Sequence, residues 1–152
     1  MRDNLRRDWP PDRWRRINNR GVARCFPVAA PSYAGGMTRI LHLAETEHWL
    51  QAKKSGVYSR STRGASLEDV GFIHCSSQEQ LPVVAGFIYA DYPGQLVVLE
   101  LDGPAIEAAG IEIRHEDGGD GELYPHVYGP LKREWVKAAH PARMVNGALV
   151  VG

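Results

Sequence analysis

The 152-residue chain carries 18 basic and 18 acidic side chains, is 43% apolar and 24% charged, and fits one globular domain with a real core. Its zero net charge gives no case for whole-chain attraction to nucleic acid or a membrane, and no apolar run approaches the ~20 residues of a membrane helix. Two cysteines, Cys25 and Cys75, indicate no disulfide framework and suit a reducing, cytoplasmic setting.

The charge balance hides an asymmetry. Residues 1–36 hold eight arginines against Asp3, Asp8 and Asp12, a net of +5, whereas residues 37–152 sum to −5. Four prolines and no sustained periodicity make residues 1–36 a disordered basic arm, with Met37 as a candidate translation start. Residues 37–152 form the single folded domain.

Within it, Arg39 to Ala44 reads as a buried strand. Thr46 as N-cap, Glu45 and Glu47 near the positive end, Lys53 and Lys54 near the negative end and Gly56 as C-cap define a short helix. Val57-Tyr58 is extended, and Ser59 to Gly64 reads as a polar loop. Gly71 to Cys75 is a second strand. Ser77 and Gln80 have capping-box spacing, and the helix they open presents Leu81, Val84, Ala85, Ile88 and Tyr89 on one face before Pro93-Gly94 ends it. Gln95 to Asp102 is the clearest strand. Pro104 to Ala109 is a helical turn stopped by Gly110. Ile111 to Glu116 alternates, placing Glu112, Arg114 and Glu116 on one polar face. Residues 117–121 read as a flexible glycine-rich loop, followed by strands near Tyr124–Tyr128, Trp135–Ala139 and Ala148–Val151. Six or seven short strands with two or three short helices predict an α+β domain of small twisted mixed or antiparallel sheets.

Two segments carry candidate chemistry. His42 and His74 each interrupt an apolar strand, where a polar ring must be hydrogen-bonded or in use. His74 stands beside Cys75-Ser76 at a strand-to-helix junction, where helix N–H groups favour a phosphate or carboxylate. The run Glu122 to Leu131, with Tyr124, His126 and Tyr128 between prolines and a glycine, is a rigid aromatic wall with one titratable ring. His42, His74, His126 and Cys75 could assemble a metal site but lack metal-binding spacing, so no metal is expected. Cys75 as a nucleophile paired with His74 fails, because adjacent strand residues face opposite sides. Dinucleotide-binding glycine fingerprints and P-loops are absent.

With these segments in view, residues 37 to about 140 resemble the mostly bacterial family catalogued as domain of unknown function 952. The resemblance rests on Ile40-Leu41-His42, the Trp49 helix, Gly56-x-Tyr58, Gly71-Phe72-Ile73-His74-Cys75-Ser76 with Gln80, the acid at Glu116, and Pro125-His126-x-Tyr128-Gly129-Pro130-Leu131. The strand ending in Ile-His-Cys-Ser, then a capped helix, then a strong strand, is also similar to the core of the ADP-ribosyltransferase fold, nearest its RNA 2′-phosphotransferase branch. That likeness implies a split-sheet core that binds NAD as cofactor or substrate without a glycine fingerprint. It implies His42 on the nicotinamide ribose, Tyr58 stacked on the nicotinamide ring, and His74 and Ser76 on ribose or phosphate. Glu116 becomes the acidic candidate, with Glu122 or neither of the two as the alternatives, and the wall read from the residues adds His126 as a catalytic and Tyr128 as a binding candidate. The phosphotransferase branch relies instead on arginines, for which Arg39, Arg60, Arg63 and Arg114 are available. Three readings follow: an NAD- or nucleotide-binding domain with transferase or glycohydrolase activity, a non-catalytic module for a small anion, or an interaction domain whose histidines are all satisfied in the core.

Overall fold

The computed structural model describes residues 39–118 and 121–152; the expected basic arm, Met37 and part of the expected 117–121 loop lie outside the described residues. In chain order the elements are β1 (Ile40–Glu45), α1 (Thr46–Ser55), β2 (Val57–Tyr58), β3 (Arg60–Thr62), β4 (Ala65–Ser66), α2 (Leu67–Val70), β5 (Ile73–His74) and α3 (Leu81–Ile88). They continue with β6 (Leu96–Leu101), α4 (Gly103–Ala108), β7 (Ile113–Asp117), β8 (Leu123–Val127), β9 (Leu131–Lys132), a 3-10 turn at Arg133–Trp135, β10 (Val136–Val145) and β11 (Ala148–Val151). The domain is α+β and dominated by sheet, with more and shorter strands than the sequence suggests.

Two antiparallel sheets form the body. One has the order β1-β6-β10-β11 and the other β5-β8-β7, while β2-β9 and β3-β4 make small ribbons. The two larger sheets meet at a single bridge, where Leu41 and Ser76 exchange both backbone hydrogen bonds at 2.8 Å. β5 therefore joins the halves of the molecule.

The bridged sheet is covered on both faces. Along β1, Ile40 and Ala44 enter one core, with Trp49, Tyr58, Ile73, Cys75, Leu99, Ile106 and Trp135; Leu41 and Leu43 enter a second, with Leu81, Ala85, Tyr89 and Val98. β6 divides the same way, which is why Leu96 to Leu101 reads as a nearly unbroken apolar run. Glu100, its one charged residue, is only partly buried and faces Arg39 at 3.7 Å.

Several local expectations meet the structure directly. Ser77 and Gln80 form the reciprocal capping bonds, Ser77 N–H to Gln80 Oε1 at 3.0 Å and Gln80 N–H to Ser77 Oγ at 3.2 Å. Gly56 closes α1 at φ 86°, its N–H bonded to Ala52 O. The N-cap of α1 is Glu45 rather than Thr46, and no side chain caps it. Ser59 to Gly64 is not a loop throughout: Arg60–Thr62 pairs with Ala65–Ser66 across an Arg63-Gly64 turn, with Gly64 at φ 76°. The strand expected to end at Ala139 runs on to Val145, then turns back through Asn146 (φ 52°) and Gly147 (φ 80°), a left-handed pair suited to a tight hairpin.

Candidate functional site

The strand bridge between the sheets brings three histidines together. His42 lies on the face of β1 opposite Leu41 and Leu43, as the alternation requires, and is buried. Its Nδ1 is 2.7 Å from the carbonyl of His74, and its Nε2 is 2.8 Å from the hydroxyl of Tyr58. A carbonyl only accepts, so His42 carries its proton on Nδ1, and the bare Nε2 accepts from Tyr58. His42 thereby ties β1 to β5 and to β2.

On the other face of β5, the same logic runs inward from the surface. The Glu116 carboxylate accepts from the Tyr128 hydroxyl and from His126 Nδ1, the latter at 3.0 Å. His126 Nε2 is then an acceptor, and it lies 3.2 Å from His74 Nδ1, which must donate. Glu116, His126 and His74 form one directed chain across β7, β8 and β5, in which His74 Nε2 is the basic nitrogen. In the β7-β8-β5 register Arg114 and His74 both pair with His126, and Glu116, paired with Tyr124 and on the same face as Arg114, reaches His126 diagonally.

The environment keeps all three rings neutral. Burial lowers His42 to about 4, against a smaller upward pull from its bond to the His74 carbonyl. Burial, then His126 and His42, holds His74 well below the ordinary histidine value. His126 is lowered by burial, with Glu116 pulling partly the other way. For Glu116 burial works upward, but the Tyr128 and His126 hydrogen bonds, with His126 and Arg114 nearby, outweigh it and hold the carboxyl below its usual range. It is therefore an oriented carboxylate whose side chain is 37% exposed, at the outer end of an otherwise buried chain.

Aromatic rings frame that outer end. Phe72 stacks on His126 with centroids 4.0 Å apart and planes 13° from parallel, and lies 5.5 Å from Tyr128. Arg114 stands over Tyr128, 4.6 Å from the ring centroid, and makes a two-pronged bond to Glu112 at 2.8 and 3.0 Å. Gly129 allows this corner to close: a Cβ there would sit 3.1 Å from Ile111.

Of the residues singled out by sequence, the structure gathers His42, Tyr58, His74, Glu116, His126 and Tyr128 into one hydrogen-bonded system, interrupted only where His42 meets the His74 backbone rather than its ring. Tyr58 is 2% exposed, its ring within the first core and its hydroxyl on His42. Ser76 is buried and serves the strand bridge through its backbone. Glu122 stands apart, accepting from Gln80 Nε2 at 3.0 Å. Of the four candidate arginines, Arg39 pairs with Glu100, Arg63 with Asp91 and Arg114 with Glu112, while the Arg60 Nε is buried without a hydrogen-bond partner among the described residues. Cys75 is buried, and its thiol is pushed far up by desolvation, so it is a core side chain. Among the described residues no group of three or more His, Cys, Asp or Glu is placed to hold a metal ion, and no helix is long and apolar enough to cross a membrane.

Two participants escaped the sequence reading. Phe72 looks like any core aromatic until its stacking on His126 is seen. Ser61 is buried in the run read as a loop and accepts from the His74 N–H at 3.3 Å; no periodic signal marks it.

Comparison with known proteins gives a consistent result. A family model described as protein of unknown function (DUF952) matches residues 43–139. Crystal structures of protein CC0527 from Caulobacter crescentus and of its double mutant superpose with TM-scores of 0.61 and 0.63, at 24% identity over 74% of this chain and 94% of that one. The solution NMR structure of CC0527 gives 0.59 at 26% identity, over 74% and 91%. No curated protein matches the chain.

Proposed function

The chain belongs to the DUF952 family, and from that premise we propose that it is a small-molecule-binding domain with acid–base chemistry at Glu116, and that its ligand is NAD or a related nucleotide. The observation that carries this reading is the Glu116 carboxylate itself. It is partly exposed, ionised, and aimed by two donors, one of which heads a chain of buried imidazoles. Three buried histidine rings are a costly way to build a core, and a carboxylate fixed at their accessible end is suited to meet positive charge.

NAD fits this corner as substrate: when its bond from ribose to nicotinamide breaks, the electron pair leaves with the ring and the ribose carbon develops positive charge. Glu116 would stabilise that charge or take a proton from the attacking acceptor. Tyr128 and His126 hold the carboxylate in place, and Phe72 backs the His126 ring. His42 and Tyr58 form the supporting layer behind, joined through the His74 carbonyl. The split of the β1 and β5 sheets is the architectural argument for a likeness to the ADP-ribosyltransferase core. A phosphate-centred site is the weaker reading, since three of the four candidate arginines pair with separate carboxylates.

The test is the melting temperature of the full chain with and without NAD, together with turnover by Glu116→Gln. NAD at about 100 times its dissociation constant adds roughly 2.7 kcal/mol. The variant is expected to keep binding and to lose about a hundredfold or more in rate. An unshifted melting curve at millimolar NAD removes the nucleotide reading, and undiminished turnover in the variant removes Glu116 as the acting carboxylate.

A further inference from the structure

We infer that the face of Tyr128, together with the Glu116 carboxylate, is a seat for a planar delocalised cation, and that Arg114 competes with the ligand for this seat. The inference deepens the reading above and rests on Glu116 being at the ligand site. It names the charge and shape of the ligand group that binds there.

The geometry already shows a cation in position. The Arg114 guanidinium stands 4.6 Å from the Tyr128 centroid, over a ring whose hydroxyl donates to Glu116. An aromatic face attracts cations through its quadrupole, and a flat guanidinium stacks where a compact ammonium does not. The adjacent carboxylate supplies the opposite charge, already desolvated on one side and oriented by His126. The seat is thus built from β7 and β8, backed by Phe72, and does not depend on Arg114 for its shape.

Arg114 is held there from the solvent side. Its side chain is 42% exposed and that of its partner Glu112 60%, so their ion pair is a surface one. The pair is two-pronged, the stronger form of a surface pair, and it can leave the ring as a unit without being broken. Arg114 can therefore swing out with Glu112 and yield the ring to an incoming cation. An occupied seat lowers apparent affinity by the fraction of time it is filled. Two sources present the required chemistry: a guanidinium group of an arginine-like ligand, and the quaternised ring of an oxidised nicotinamide.

The experiment titrates the full, isotopically labelled chain with methylguanidinium, 1-methylnicotinamide and tetramethylammonium, following amide shifts by NMR. The two planar cations are expected to shift Glu116, Phe72 and Tyr128, with tetramethylammonium clearly weaker. Arg114→Ala is expected to tighten both planar cations by about threefold or more. Glu116→Gln and Tyr128→Leu are expected to weaken them about tenfold, while Tyr128→Phe keeps the ring and much of the binding. A preference for 1-methylnicotinamide assigns the seat to a nicotinamide-bearing ligand, and a preference for methylguanidinium assigns it to an arginine-like one. If Arg114→Ala binds neither planar cation more tightly than wild type, or the shifts fall away from Tyr128, the inference is overturned. Cation binding with this mutational pattern in a protein that ignores NAD sustains the seat and defeats only the nucleotide reading.

Discussion

His126 is the residue on which the site turns. It receives no help from solvent, accepts from His74 and donates to Glu116, so removing it strands groups on both sides. His126→Ala is expected to destabilise the fold by about 2–4 kcal/mol, combining a lost ring with unsatisfied buried polar groups. A urea midpoint within error of wild type would show that the chain is not structurally coupled. The sequence marks His42 and His74 because each is a polar ring within an apolar strand, and this was legible without coordinates. The order of proton donors was not, since each tautomer is set by an acceptor 10 to 52 residues away.

Among the elements, α3 shows how far local chemistry reaches. Ser77 and Gln80 cap each other as their spacing requires, and Gln80 then extends to Glu122 Oε2 and the Leu123 carbonyl, at 3.0 and 2.8 Å. Ser77→Ala is expected to cost about 1 kcal/mol, measured by thermal unfolding, because it leaves the Gln80 N–H without its acceptor. A loss well above that would mean the cap also fixes the β8 strand through Gln80. The ribbon of β3 and β4 was hidden for the opposite reason. Arg60-Ser61-Thr62 has no apolar alternation, and it becomes a strand because Ser61 is buried against the His74 backbone. The short helix α2 did carry a signal, the Ser66-x-x-Asp69 capping box.

At the scale of the whole molecule, the join between the two large sheets is made by one backbone bridge and by the neutral His42 imidazole, while His74 and His126 tie β5 to β8 within one sheet. His42 faces Tyr58 and the His74 carbonyl, His74 faces His126, and His126 faces Glu116, with His115 also acting on it. Unfolded histidine titrates near 6.5, and these three titrate lower when folded. Below about pH 6.5 the unfolded chain therefore takes up protons that the folded chain refuses. Stability is complete above that value and falls as pH drops. His42 alone, held down to about 4, accounts for roughly 3 kcal/mol lost between about 6.5 and 4. Glu116, also lowered, acts in the same direction at more acid pH. The melting temperature is expected to be flat above pH 7 and to fall steeply below 6, with a shallower fall in His42→Gln. A constant melting temperature between pH 7.5 and 5 would contradict this account of the joint.

The sequence by itself determined the α+β class, the apolar strands β1 and β6, the Ser77–Gln80 cap ahead of α3 and which histidines stand within apolar strands. These depend on periodicity and on bonds spanning a few residues, and both are written along the chain. The tertiary structure alone decided that Glu116 rather than Glu122 meets His126, that Tyr58 backs the site from within the core, and that Ser61 and Phe72 belong to it. Those outcomes depend on strand register across β5, β8 and β7. Register is set by the packing of whole faces at once, and no short stretch of sequence carries it.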